Sequence, residues 1–226
     1  MGEGTEKWIE HYSSKQKILL VGEGNFSFSL SLARAFGSAA NVTATSLDSR
    51  GKLERDYGTE ALTNIEELKG LGCTVMHGVN VRIMSRHVNL CSKRFDRIIF
   101  NFPHAGFDII GKEYDSSTIK KHQGLVRGFL ENARRMIDVD GEVHITHKTT
   151  DPFSRWDIED LAEEESLCLV KKVPFYKWDY PGYVNKRGSG SKCNSTFLLI
   201  LAINDYNNSL RTFILYILYP ISEFNI

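Results

Sequence analysis

A single α/β domain of the Rossmann type is the fold class the sequence predicts. Three observations predict it: apolar strand-like runs alternate with helical periodicities from about Lys15 to Ile203, a glycine loop follows the first run directly, and an acid closes the second. Alternation of this kind places the strands in a mostly parallel sheet with helices on both faces.

Lys17 to Val21 is apolar after its first residue and stops at Gly22, which suits a strand buried on both faces. Phe28, Leu32, Ala35 and Phe36 recur at helical spacing, and Gly37 closes that helix. Asn41 to Leu47 is rich in β-branched residues and ends at Asp48, giving strand two. Thr59 to Leu71 is helical, with Leu62, Ile65 and Leu68 on one face, and Cys73 to His77 is strand three, running out near Asn80. Phe95 to Phe102 is strand four, and Pro103 forbids its continuation. A helix over Ser116 to Ile137 buries Leu125, Phe129, Ala133 and Met136, Asp140-Gly141 turns into strand five over Glu142 to Thr150, and Arg155 to Ser166 is an acidic helix. Two last strands, Leu167 to Trp178 and Thr196 to Ile203, are joined by a glycine-rich loop, so the sheet is expected to carry one antiparallel edge strand. The chain thus divides into a polar segment 1–14, the domain 15–203 and an atypical apolar tail 204–226. The tail, with its run Phe213 to Tyr219, suits packing on a sheet edge, association, or an atypical terminus.

The 28 basic side chains match 28 acidic ones. A domain that lives on phosphate contacts carries a basic excess, so nucleic-acid binding must here rest on a local patch. Four cysteines without a Cys-x-x-Cys pair argue against a zinc ribbon or disulfide framework and for free thiols in a reducing compartment; no metal is expected. The polar start, Met1 to Lys17, has no signal-peptide core, and the apolar runs 197–203 and 213–221 fall short of the ~20 residues a spanning helix needs. The expectation is an intracellular protein, cytoplasmic or nuclear, with no membrane partner. Its oligomeric state is not fixed by composition.

Ligands of open α/β sheets bind beyond the carboxyl ends of the strands. There, Gly22-Glu23-Gly24-Asn25-Phe26 lets the backbone turn and approach a ligand, and the next helix offers N–H groups to an anionic moiety. Ser27 replaces the third glycine of the dinucleotide fingerprint, and a plain structural turn is the alternative. Asp48, some twenty residues on, is placed to accept hydrogen bonds from a ribose diol, against a solvated loop acid. Asn80 could pair with an adenine edge, against an ordinary turn residue. A kinase reading fails, because no His-Arg-Asp loop and no Asp-Phe-Gly follow.

Asn101-Phe102-Pro103-His104 resembles the Asn/Asp-Pro-Pro-aromatic element with which class I methyltransferases hold a planar nitrogen beside the methyl donor, although Phe102 and His104 depart from it. Ile18 to Ser29, Thr45 to Asp48, Phe95 to Gly106, His122-Gln123 and Tyr180 to Gly188 together resemble the eukaryotic ribosomal RNA uridine-N3 methyltransferase-like family, in the manner of a plant member. The resemblance implies a Rossmann-like class I methyltransferase sandwich, S-adenosylmethionine as cofactor, and ribosomal RNA or a pre-ribosome as partner, with a nucleolar address. It implies that Gly22, Gly24, Asp48 and Asn80, with the rest of the loop through Phe26, hold the cofactor, and that Asn101, Pro103 and His104 face the acceptor base. A uridine imide must lose its N3 proton, for which His104, then His147 and Lys148, are the candidate bases. Tyr180, Tyr183, Lys186 and Arg187, with Lys192, combine rings that could stack on unpaired bases with cations for phosphates; the alternative is a solvated hairpin. A catalytically silent Rossmann-like module that binds RNA or cofactor competes with this reading, and a nicotinamide-dependent dehydrogenase is a more distant third.

Overall fold

The structure, a computed structural model, describes residues 5–106, 112–188, 190, 192–197 and 213–221. A small antiparallel hairpin, β1 (Trp8–Ile9) and β2 (Tyr12–Ser13), precedes the main sheet. The chain then runs through β3 (Ile18–Val21), α1 (Ser27–Phe36), β4 (Val42–Thr45), α2 (Arg50–Tyr57), α3 (Thr59–Gly70), β5 (Thr74–Met76) and β6 (Phe95–Asn101). It continues through α4 (Ser116–Arg134), β7 (Ile137–Lys148), α5 (Ile158–Glu164), β8 (Leu167–Pro174) and β9 (Phe213–Pro220). The seven-stranded sheet has the order β5-β4-β3-β6-β7-β9-β8, parallel from β5 to β7 and antiparallel at both borders of β9.

The uninterrupted apolar run of β3 is explained by its place: it pairs with β4 on one side and β6 on the other, and all four residues are buried. Alternate residues feed opposite layers. Leu19, Val21, Ile98 and Phe100 pack with Val126, Phe129, Leu130 and Ala133 of α4, whereas Ile18, Leu20 and Ile99 pack with Phe28, Leu32 and Phe36 of α1 and Ile65 and Leu68 of α3. Each fully buried Val, Leu, Ile or Phe side chain among them contributes about 1.5–3 kcal/mol.

The carboxyl-terminal half of the sheet corrects the expectation. Thr196 and Phe197 lie in no strand, and residues 198–203 of the expected last strand fall outside the described residues. The partner of β8 is instead β9, from the segment expected as a tail, and it inserts between β7 and β8. Leu215, Tyr216, Ile217 and Leu218 are all buried, so this strand needs cover on both faces and takes an inner position. The edge falls to β8, whose exposed Val170, Lys171 and Lys172 interrupt its apolar face. The antiparallel strand therefore lies one place in from the edge.

A polar knot fastens β9 to its neighbours. Glu142 accepts from Tyr219 Oη at 2.6 Å and from His144 Nε2 at 2.7 Å, and pairs with Arg97 at 3.2 Å; Tyr12 Oη donates to His144 Nδ1 at 3.1 Å. The partners assign the His144 proton to Nε2. Burial works against the Glu142 carboxylate, yet its hydrogen bonds and the Arg97 charge outweigh that and bring its pKa down to about 2.

Candidate active site

A cleft of about 230 Å³ opens at the carboxyl ends of β3, β4 and β6, where the sheet order reverses. Gly22, Glu23, Gly24, Asn25, Asp48, Asn80 and Asn101 line it, so the sequence-selected loop and strand-end residues do converge. Gly22 has φ +67°, and a Cβ there would stand 2.4 Å from the Phe100 ring. Only glycine admits both that backbone and that contact. At Gly24, a Cβ would stand 3.0 Å from Tyr57 Oη, and Tyr57 and Phe100 both form cleft wall.

Three loop residues act differently from the expectation. Glu23 is buried, and its Oε2 accepts from Ser29 N at 3.2 Å and Ser29 Oγ at 2.6 Å; burial raises its pKa against those hydrogen bonds. Asn25 Oδ1 accepts from Ser27 N at 3.3 Å and Ser27 Oγ at 2.8 Å. These two side chains thereby satisfy N–H groups of the first turn of α1 that were expected to face a ligand. Phe26 is fully buried in the α1 and α3 layer, so its ring is core rather than cofactor contact.

Asp48 follows β4 and receives Lys52 Nζ at 3.0 Å. Lys52 also pairs with Asp56, the main reason its ammonium pKa is raised. Asn80 lines the cleft while its Oδ1 accepts from Arg82 N at 3.0 Å, closing an Asx turn.

A second cleft, of about 290 Å³, adjoins the first and shares Phe102, His104, Lys186 and Arg187 with it. At the join, Asn101 Oδ1 accepts from Thr146 Oγ1 at 2.6 Å, and its buried Nδ2 has no hydrogen-bond partner among the described residues. Phe102 has φ +49°, an unusual conformation for a side chain this large, and its ring packs edge-on against Phe175 and Phe197. Pro103 lines the second cleft. His104 Nδ1 accepts from Gly106 N at 3.0 Å, and its ring lies 4.4 Å from that of His122. His122 is fully buried and stacks on Trp156 at 4.3 Å.

Of the other candidate bases, His147 is held by burial at a pKa of about 4, and its Nε2 donates to Phe153 O at 3.1 Å. Lys148 is pushed down by burial; its ammonium sits 4.2 Å over the Phe153 ring and 4.9 Å over that of Phe197.

The expected RNA segment divides. Tyr180 and Tyr183 are 3% and 8% exposed, and both pack on Phe28 and Phe175. Both rings belong to the buried aromatic layer around Phe28, which leaves neither face open for a base to stack, and Tyr183 also forms part of the first cleft's wall. Lys186 and Arg187 line both clefts, with Lys186 Nζ held by Asn194 at 2.7 Å and Glu60 at 3.3 Å, and Lys192 lines the second cleft. Sequence reasoning missed Tyr57, Glu113, Phe153 and Trp156, all on cleft walls. The only signal for Tyr57 was its spacing of four from Leu53; Glu113 sits in a turn that has no pattern at all.

Residues 19–187 match the family described as BMT5-like, rRNA (uridine-N3-)-methyltransferase BTM5-like. The chain belongs to this family. It is 54% identical over 204 residues to the Arabidopsis thaliana protein called uncharacterized protein At4g26485, covering 90% of this chain and 97% of that one. Similarity at 22% identity, over 78% of this chain and 67% of the relative, extends to the Saccharomyces cerevisiae 25S rRNA (uridine(2634)-N(3))-methyltransferase. Among solved structures, the glycopeptide N-methyltransferase MtfA complexed with sinefungin aligns with a TM-score of 0.52 at 11% identity, covering 91% of this chain and 87% of that one. That likeness establishes the fold of the family member described here as Rossmann-like, with a mostly parallel sheet.

Proposed function

We propose that this family member transfers a methyl group from S-adenosylmethionine to N3 of a uridine in ribosomal RNA, free or within a pre-ribosome, in the intracellular compartment that holds that RNA. The observation that carries the reading is the meeting of two clefts at Asn101 to His104, one suited to a nucleoside-bearing cofactor and one to a planar base.

The first cleft has the chemistry such a cofactor needs. Gly22 leaves the backbone bare against Phe100, and Asp48 presents a carboxylate to a ribose diol, with Lys52 holding it in place. The cofactor supplies an electrophilic methyl on a sulfonium, which asks mainly for alignment. Two buried donors without partners among the described residues, Asn101 Nδ2 and Trp156 Nε1, suit the carbonyl oxygens flanking a uracil N3. Lys148, Lys186, Arg187 and Lys192 surround the second cleft and favour the anion that forms when N3 loses its proton, as well as the neighbouring phosphates.

The departures at Phe102 and His104 and the balanced charge favour a second reading, a silent binding module. Transfer of labelled methyl from S-adenosylmethionine to ribosomal RNA separates the two, and turnover is the expected result. Calorimetric titration accompanies it: Asp48→Ala should weaken cofactor binding about 10- to 100-fold, matching a lost charge-assisted hydrogen bond of about 1.5–3 kcal/mol. A nicotinamide dinucleotide should not bind. Confirmed cofactor binding with no transfer to any ribosomal RNA would leave the silent module.

A further inference from the structure

We propose that Glu113 is the residue that takes the proton from the uridine imide, an inference that rests on the methyl transfer proposed above. Glu113 stands in the turn before α4 and is the sole carboxylate among the described residues lining the second cleft. Its Oε1 lies 3.5 Å from His104 Nε2 and its Oε2 lies 3.8 Å from His122 Nε2. Because His104 lines both clefts, this carboxylate sits beside their join. Its Oε2 is buried and makes no hydrogen bond among the described residues, so an acceptor is in place for a donor on a ligand.

The histidines point to the same assignment by elimination. Gly106 N donates to His104 Nδ1 at 3.0 Å, and Ala105 N donates to His122 Nδ1 at 3.1 Å. A backbone N–H can only donate, so each Nδ1 lone pair is occupied and each neutral ring carries its proton on Nε2, toward Glu113. His104, the base favoured by the sequence, therefore has no lone pair to offer the substrate. The same argument bears on a cation: His104, Glu113 and His122 have ligand atoms within 4.8 Å of one another, but metal ligation through either Nε2 would require an imidazolate. The trio is instead a carboxylate that takes a hydrogen bond from His104 and has the His122 N–H edge 3.8 Å away.

Groups facing Glu113 come from every neighbouring element: His104 after β6, His122 on α4, and His147 and Lys148 on β7, with Lys186, Arg187 and Lys192 across the cleft. Burial pushes the Glu113 pKa up, but His104, His122 and Lys148 outweigh it and hold it below the ordinary carboxylate range, so the group is ionised and ready to accept. The cations around the cleft, Lys148, Lys186, Arg187 and Lys192, also stabilise the anion left when the imide loses its proton. In the step, the N3–H bond breaks and the proton passes to a Glu113 oxygen. The N3 electron pair forms the bond to the methyl carbon as the carbon–sulfur bond breaks and its electrons return to sulfur. Glu113 then releases the proton to water.

The test is single-turnover methylation of a ribosomal RNA transcript by wild type, Glu113→Gln and Glu113→Asp, with binding of S-adenosylmethionine and of RNA measured in parallel. Each is repeated with a transcript made with 5-fluorouridine, whose imide is more acidic. Glu113→Gln should lose about 100-fold or more in rate. Both affinities should stay within about threefold of wild type, a change of less than 1 kcal/mol. Glu113→Asp should recover part of the loss, and the fluorinated transcript should narrow it about tenfold, because a weaker base suffices for a stronger acid. An active Glu113→Gln, or a loss that fluorination leaves untouched, overturns the assignment. A wild type that binds cofactor yet methylates neither transcript removes the methyl-transfer reading, and this proposal with it.

Discussion

Replacing Gly22 with alanine tests whether the loop is shaped by its ligand site or is an ordinary turn. The substitution forces an L side chain to φ +67°, which costs about 1–2 kcal/mol, and drives its Cβ to 2.4 Å from the Phe100 ring. Phe100 packs on Phe129 in the core and cannot simply withdraw, so overpacking adds about 1–3 kcal/mol. The sum, about 2–5 kcal/mol, is a large fraction of the roughly 5–15 kcal/mol that stabilises an ordinary domain. At about 2–4 °C per kcal/mol, the melting midpoint should fall by about 4–20 °C. Gly37→Ala is the control, because Gly37 has a similar φ of +71° and its Cβ would meet only the flexible Lys7 ammonium. That variant should lose about 1–2 kcal/mol and keep its cofactor affinity, whereas Gly22→Ala should also bind S-adenosylmethionine at least about tenfold more weakly, since any escape of the Phe100 ring is into the cleft. Denaturant unfolding and calorimetric titration read the two effects separately. Equal destabilisation of the two variants, with cofactor affinity retained in both, would refute the reasoning.

Two more outcomes follow from the same geometry. Arg187→Ala should weaken RNA binding and reduce the magnitude of the salt slope by about 1, and Lys186→Ala should do less because Glu60 already neutralises that ammonium in part; filter binding across a salt series reads both. For Glu142, the folded pKa of about 2 lies below the ordinary value of 4.5, so its contribution is fully present above about pH 4.5 and is lost as pH falls toward 2; discounted for partial exposure it is about 1–3 kcal/mol, and Glu142→Gln should flatten that acid limb in a series of denaturant titrations.

What was legible in the sequence was what local patterning carries. The run Ile18 to Val21, the stop at Gly22 and the acid at Asp48 are each decided within a few residues, and the structure sets them around one cleft. α2 escaped notice because, of its eight residues, only Leu53 and Tyr57 are buried, too few for a periodic signal, and its start rests on Ser49 accepting from Lys52 N. The rings of Tyr180 and Tyr183 were misread because an aromatic beside glycines and cations looks the same whether it faces solvent or a core. Only the partners Phe28 and Phe175, far away in the chain, decide the matter.

The hardest part to foresee was also the most consequential for how the site is held. Strand β9 pairs with β7 along Val143 to Lys148, the stretch that carries Thr146 beneath Asn101 and His147 and Lys148 at the second cleft. An apolar run more than sixty positions away in sequence is therefore what fixes the backbone that carries two cleft residues and the buried threonine that holds Asn101. Sequence order gives no hint of this, because β9 follows β8 in the chain yet lies between β7 and β8 in the sheet. The physical clue was present all the same: Leu215 to Leu218 are apolar at every position, and a strand with no polar face is stable only where both faces are covered. Read that way, the absence of alternation in Phe213 to Tyr219 already argues for the interior of a sheet over a free tail, and the charged outer strand β8 shields it from edge-to-edge pairing.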